Sequence, residues 1–380
     1  MRLEQGDTGL LVWFAGQTAP VLFSWFWLRD HGLDESSIDP VTLQRRTDTF
    51  SIAPDIRGQL TNFDQQQQLI SLLWPDGQQT SLSAYLLASN CGLAPARHEL
   101  APDKPQILWD NAAPLTDLPA AQHAAVMQND SELLNWLEQI FQYGFSVLEG
   151  VPSTEQATTE LAQRVGRIQE TLFGTMWPLS SELTEHGDTA YSTSYLAPHT
   201  DGTYYQDAAG LQMFNCLRFD GDGGENILVD GYALAEQLRS ADPEAFQALS
   251  EINVPSHYIE RGVHMRAERP AFRLDGNGDV IQVSFNNYDR APMRLVADQA
   301  DRFHRAYRVL HDATLDESNW VKIGLRPGQT LIFDNWRLLH GRMGYVGERV
   351  FYGCYHSRAE FESRLRVLRA SIQKDARPDD

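Results

Sequence analysis

The chain has 380 residues, and its 51 acidic against 31 basic side chains leave a formal net charge of −20. That excess repels phosphate backbones and anionic bilayers, so docking on nucleic acid or polybasic attachment to a membrane is excluded as a default. A hydrophobic content of 42% with 22% charged residues is that of a folded chain, and the length suggests two domains that need no staples. Three scattered cysteines, Cys91, Cys216 and Cys354, make no disulfide framework and fit a reducing compartment. The apolar runs Leu10 to Ala15 and Val21 to Leu28 fall short of a membrane span. Early Glu4 and Asp7, with no small-residue cleavage site, argue against a signal peptide. The expectation is a soluble, cytoplasmic protein.

Along the chain, Leu10–Phe14, Val21–Leu28 and Gln59–Phe63 read as strands, Trp74-Pro-Asp-Gly as a turn and Ser81–Ser89 as a short helix. Residues 1–95 therefore form a small β-rich N-terminal domain, the Pro- and Ala-rich stretch 96–118 a linker, and 119–380 a second domain. This second domain opens with an amphipathic helix over Asp130–Phe141, its apolar face formed by Leu133, Leu134, Leu137, Ile140 and Phe141. A strand over Phe145–Leu148 and a helix over Glu155–Val165 follow. Short β-like segments come next, at Gly210–Leu217, Asn226–Asp230, Val280–Phe285, Gln329–Asp334 and Val350–Tyr355, interrupted by helices at Tyr232–Leu238 and Asp298–Leu315. Helices first and then irregularly spaced strands indicate an α+β, mainly β architecture, a barrel or jelly roll with flanking helices, and not a βαβ sheet.

His199-Thr200-Asp201 carries the first chemical signal. In extended backbone, residues i and i+2 project to one face, so an imidazole and a carboxylate converge. His340 lies just after a strand, in Asp334-Asn-Trp-Arg-Leu-Leu-His-Gly-Arg, where barrel geometry could return it to the first pair. Two histidines and one carboxylate with open positions form the facial triad of non-haem Fe(II) oxygenases. Among eleven histidines, His-x-Asp alone is a weak signal and reads first as a loop histidine beside a surface aspartate.

Phe333 to Arg342, with Gly223-Gly-Glu-Asn and the segment around His199, resembles the TauD/TfdA branch of Fe(II)/2-oxoglutarate dioxygenases, within it most closely the γ-butyrobetaine hydroxylase-like group. Phe26-Trp-Leu-Arg-Asp, Val229-Asp-Gly, Phe285-Asn-Asn and Arg364 to Arg369 extend the likeness over nearly the whole chain. The resemblance implies a double-stranded β-helix, homodimeric enzyme in which His199, Asp201 and His340 ligate Fe(II). Arg349 would take the distal carboxylate of 2-oxoglutarate, a task suited to a planar guanidinium, with Asn226 as a further co-substrate contact. O2 completes the reactants, and an unactivated C–H is hydroxylated.

The group acts on trimethylammonium zwitterions, whose cation offers no hydrogen-bond donor and is recognised by aromatic faces. By resemblance the cage residues are Phe173, Trp177 and Tyr191, with Tyr195 beside them. At the anion end Asp188 stands where the family carries Asn, and Gly202 replaces an aromatic, leaving Asn286, Asn287 and Arg290 as candidate donors. This altered anion site favours (2-trimethylaminoethyl)phosphonate as the substrate, with γ-butyrobetaine as the alternative. A non-catalytic jelly-roll binding module is the rival from another class; a dinucleotide-dependent dehydrogenase is disfavoured because Gly221-Asp-Gly-Gly lacks the required order.

The family's structural zinc is not expected. Gly32, Asp34 and Ser37 occupy the cysteine positions and Gln78 the histidine position, a donor set unsuited to tetrahedral zinc. The N-terminal domain should instead be held by Trp13, Phe23, Trp25 and Trp27. His186 lies near the proposed substrate loop, and the other histidines show no metal-ligand spacing.

Overall fold

The computed structural model describes residues 1–91, 105–180 and 192–376. It divides into two compact units, Met1–Ala101 and Pro102–Asp380. Among the described residues no helix is long and apolar enough to cross a membrane.

The first unit contains two antiparallel three-stranded sheets, β1 (Arg2–Gln5), β2 (Gly9–Trp13) and β3 (Val21–Ser24), then β4 (Gln59–Asp64), β5 (Leu69–Leu73) and β6 (Gln79–Ser83). Helix α1 (Trp25–Asp30) follows β3 and α2 (Ala84–Asn90) follows β6. The strand expected over Val21–Leu28 stops at Ser24, whose hydroxyl accepts from Trp27 N at 3.2 Å and caps a helix; the aromatic run concealed that start. Phe23 and Trp25 are buried with Leu10, Ile70, Leu72 and Trp74. Trp13 and Trp27 are only partly buried, and the Arg2 guanidinium lies 3.8 Å over the Trp13 ring.

Positions 32, 34, 37 and 78 converge, but around a guanidinium. Arg29, 5% exposed, donates to Ser37 Oγ at 3.1 Å and to Gln78 Oε1. Ser37 Oγ in turn donates to Asp34 Oδ2 at 3.0 Å, and a side chain at Gly32 would collide with Thr80, Asp34 and Ser37. Burial of Asp34 is outweighed by the Ser36, Ser37 and Thr80 hydroxyls, which hold its carboxyl below the ordinary value. His31 stacks on Trp27 at 4.0 Å. Arg29→Met should destabilise this unit by about 2 kcal/mol by stranding buried acceptors, whereas a chelator should leave its urea midpoint unchanged.

In the second unit the first strands and helices are β7 (Ala120–Gln122), α3 (His123–Gln128), α4 (Asp130–Tyr143), β8 (Phe145–Glu149), α5 (Glu155–Val165), β9 (Met176–Ser180) and β10 (Leu196–His199). They are followed by β11 (Leu211–Gly223), β12 (Asn226–Asp230), α6 (Gly231–Ala241), α7 (Pro243–Glu251), the hairpins β13 (Val254–Glu260)–β14 (Val263–Arg269) and β15 (Phe272–Leu274)–β16 (Val280–Val283), and α8 (Ala297–Leu315). The chain closes with β17 (Val321–Ile323), β18 (Gln329–Asp334), β19 (Leu338–Arg342), β20 (Tyr345–His356) and α9 (Arg358–Ala376).

Two sheets organise these elements: six strands in the order β7-β8-β18-β11-β20-β9 and four in the order β10-β19-β12-β17. Phe214, Leu331, Phe333 and Phe351 of the first meet Leu228, Ile323 and Leu338 of the second in one core. Alternate residues Met213, Ile332 and Cys354 pack outward with Trp136, Leu137, Leu161 and Phe361 of α4, α5 and α9. Helices α6, α7 and α8 cover Ile227, Val229 and Leu339 on the outer face of the smaller sheet. This is a double-stranded β-helix with flanking helices. Part of the stretch read as linker is built into this unit, since Trp109 is 2% exposed within the inter-sheet core.

His356 at the end of β20 is fully buried, its Nδ1 donating to Arg167 O at 3.1 Å. Burial pushes its pKa down to about 4. Between that value and the ordinary 6.5 the unfolded chain binds a proton that the folded one refuses. Stability is therefore lost as pH falls through this window, by about 3 kcal/mol in total. His356→Gln should flatten the dependence of the urea midpoint between pH 6.5 and 4.

Candidate active site

The smaller sheet brings the distant histidines together. His199 ends β10 and is the cross-strand partner of His340 on β19, with ring centroids 4.5 Å apart. Asp201 follows in a tight turn that its neighbours pin. Thr200 N donates to Phe285 O at 2.7 Å, Phe285 N donates to Thr200 Oγ1 at 2.9 Å, and the Asn335 amide grips both peptide groups of Asp201, accepting from its N–H at 2.8 Å and donating to its carbonyl at 3.1 Å. Asp201 Oδ1 lies 3.3 Å from His199 Nε2 and Oδ2 lies 3.5 Å from His340 Nε2. One donor atom from each residue falls within 4.8 Å of the others.

The donor set fits a metal. A carbonyl only accepts, so the 2.8 Å contact of His199 Nδ1 with Ala197 O places a proton on Nδ1 and turns Nε2 toward the centre, where it meets Asp201. Burial alone would raise the Asp201 carboxyl, but the charge of His340 and the hydrogen bond from His199 outweigh it and hold it well below the ordinary range. For His199, burial is outweighed by Asp201 and the value is raised; for His340, burial wins and the value is lowered. A carboxylate between two imidazoles is the donor set of non-haem Fe(II) sites.

Arg349, on β20, is 3% exposed and lines the same cavity. Its Nη2 donates to Asn226 Oδ1 at 3.2 Å, its Nε has no partner among the described residues, and its guanidinium lies 3.8 Å over the Phe351 ring. Burial, followed by repulsion from Arg342, pushes its pKa down to about 9. A buried cation hydrogen-bonded to a neutral amide and paired with no described carboxylate is matched to an incoming anion. Arg342, also on the cavity wall, donates instead to Ser192 O and Ser194 O.

The cavity, of about 110 Å³, is lined by Phe173, Trp177, Tyr204, Tyr205, Phe214 and Tyr355 around the His–Asp–His centre. Of the expected substrate contacts, Phe173, Trp177 and Asn286 line it, with Trp177 and Tyr355 centroids 5.2 Å apart. Asp188, Tyr191 and His186 lie outside the described residues. Three expectations need correction. Tyr195 is 43% exposed and stacks on Trp320 instead of lining the cavity, Asn287 is exposed, and the Arg290 guanidinium lies over Tyr307. Gly202 does line the cavity, but its φ of +69° already favours glycine there.

Sequence reasoning missed Tyr355, Gln212, Tyr204, Tyr205 and Asp289, all on the cavity wall. Asp289 accepts from Asn286 Nδ2 at 2.8 Å, which turns that amide away from the role of a free anion donor. Strand parity could have found Tyr355, since it shares a face of β20 with Arg349.

On this fold, the His–Asp–His centre defines an Fe(II)- and 2-oxoglutarate-dependent dioxygenase. The chain belongs to the TauD/TfdA family, whose model, described as taurine catabolism dioxygenase TauD, TfdA family, matches residues 111–355. It is 33% identical to the mitochondrial trimethyllysine dioxygenase of Mus musculus, over 96% of this chain and 86% of that protein. It is 34% identical to that of Homo sapiens, over 91% and 82%, and 31% identical to the gamma-butyrobetaine dioxygenase of Pseudomonas sp. strain AK-1, over 94% and 93%. A taurine dioxygenase structure from Burkholderia xenovorans superposes with a TM-score of 0.50 at 14% identity, over 64% of this chain and 89% of that one, and shows the shared fold.

Proposed function

We propose that this enzyme hydroxylates an unactivated C–H bond of a small trimethylammonium carboxylate, the class to which trimethyllysine and γ-butyrobetaine belong. The observation that carries this reading is the 31–35% identity to trimethyllysine and gamma-butyrobetaine dioxygenases over at least 91% of the chain. Phosphonate, favoured on the sequence alone, rested on an altered anion site; Arg290 and Asn287 are not on the described cavity wall, and the relatives of 31–35% identity are named for trimethyllysine and gamma-butyrobetaine, both carboxylates.

In this reading His199, Asp201 and His340 hold Fe(II), and Arg349, steadied by Asn226, takes the distal carboxylate of 2-oxoglutarate. When bound, iron and 2-oxoglutarate activate O2 through oxidative decarboxylation of the oxo acid to succinate and CO2. The protein's task is orientation. Asn335 and Thr200 fix the turn that presents Asp201, while Phe173, Trp177 and Tyr355 offer ring faces to the quaternary cation, which attracts them without hydrogen bonding. Succinate and hydroxylated product should be measured with trimethyllysine, γ-butyrobetaine and (2-trimethylaminoethyl)phosphonate. Coupled turnover is expected to be fastest with one of the carboxylates; faster coupled turnover of the phosphonate overturns the assignment.

A further inference from the structure

A carboxylate can grip a metal with one oxygen or two, and the choice decides how many coordination positions remain for reactants. Here a short chain of hydrogen bonds ends on one oxygen of Asp201. The Tyr355 hydroxyl lies 2.8 Å from Asp201 Oδ2, and Gln212 Nε2 lies 3.2 Å from the Tyr355 hydroxyl. An ionised carboxylate only accepts, so the phenol proton goes to Asp201 and the phenol oxygen accepts from the Gln212 amide. The direction of the chain is thus fixed from its far end.

The scaffold holds this chain rigidly. Gln212 on β11 and Tyr355 on β20 are cross-strand partners, 3% and 8% exposed respectively, and Trp177 packs against the Tyr355 ring. Asn335 meanwhile clamps the Asp201 backbone, leaving rotation of the carboxylate as the freedom that Tyr355 removes.

The geometry points to Tyr355, oriented by Gln212, as a positioning residue that occupies Asp201 Oδ2, so that the carboxylate offers the metal Oδ1 alone and a coordination position stays open. This rests on the reading of His199, Asp201 and His340 as metal ligands. Without the phenol proton, Oδ2 is free to turn onto the metal beside Oδ1, displacing the 2-oxo acid. Gln212→Glu acts through the same atoms while keeping every ring, because a second carboxylate competes for the phenol proton and draws it from Asp201.

The test uses the full-length protein loaded with Mn(II), without substrate, because Tyr355 also lines the substrate cavity. Crystals of the wild type should show Asp201 bound through one oxygen, and those of Tyr355→Phe through both. Calorimetric titration of 2-oxoglutarate into the Mn(II) protein should show affinity weakened about 10- to 100-fold in Tyr355→Phe, with Gln212→Glu moving in the same direction. One-oxygen coordination and unchanged 2-oxoglutarate affinity in Tyr355→Phe overturn the inference, even if substrate affinity falls. A wild type that binds no Mn(II) overturns both the inference and the metal-site reading, which separates the two failures.

Discussion

Replacing Arg349 with methionine is expected to weaken 2-oxoglutarate binding by about 10²- to 10⁴-fold while raising the melting temperature of the ligand-free protein. The two effects share one cause. In the absence of co-substrate the guanidinium is buried and meets no described carboxylate, so the fold bears its desolvation without a compensating charge. Burial and Arg342 together push its pKa down to about 9. An incoming carboxylate supplies the missing partner, and two charge-assisted hydrogen bonds contribute about 1.5–3 kcal/mol each. Methionine fills much of the same volume over Phe351, forfeits those bonds and removes the unpaired charge, which should stabilise the empty protein by about 1–2 kcal/mol. Calorimetry with the Mn(II) protein and thermal unfolding without ligands would measure the two effects separately. A lower melting temperature with unchanged affinity would falsify the assignment of Arg349 as an anion anchor.

The second large effect concerns stability alone. Arg337 is fully buried and spends its guanidinium on Asp230, with Nε to Oδ1 at 3.1 Å and Nη2 to Oδ2 at 2.6 Å, and on the carbonyls of Gln142 and Ile107. Asp230 also accepts from Trp109 N and caps α6 through Tyr232 N and Ala233 N. Arg337 thus joins the ends of α4 and β12 and the start of α6 to the turn that leads into His340. Arg337→Met leaves a carboxylate buried without its cation and should cost about 3–5 kcal/mol, a large part of the 5–15 kcal/mol typical of a domain. Adding Asp230→Leu should recover part of that loss despite removing more hydrogen bonds, because the stranded charge dominates. Urea denaturation of the two variants measures both outcomes.

The run from Asp334 to Arg342 was the most legible part of the sequence, and the structure shows why so many of its side chains are specified. Asp334 pairs with Arg358, Asn335 clamps Asp201, the Trp336 indole donates to Ala208 O, and Arg337 meets Asp230. His340 pairs across strands with His199. None of these partners is a sequence neighbour of the run, so spacing alone could reveal that a motif was present but not which contacts it makes. Where strand parity holds, one assigned residue locates others, as Arg349 does for Tyr355. Parity is silent over 286–290, which is not strand, and there the side chains of Asn287 and Arg290 were assigned to the wrong surroundings. The helix over Trp25–Asp30 was hidden for another reason: aromatic residues favour strands in isolation, and a single serine cap prevailed.

Among the described residues strand β10 lies at the edge of its sheet and pairs only with β19. His199 therefore hangs from a margin while His340 sits one strand inward. Any ion gripped by both imidazoles rivets that margin to the interior, so closure of the edge and retention of the ion draw on one shared free energy. Gly341 shows how narrow the tolerance is, because a Cβ there would come within 2.5 Å of Leu196 O and push the edge strand away. Retention of an ion held there is thus partly a mechanical property of strand closure, and changes that touch no donor atom can alter how long it stays.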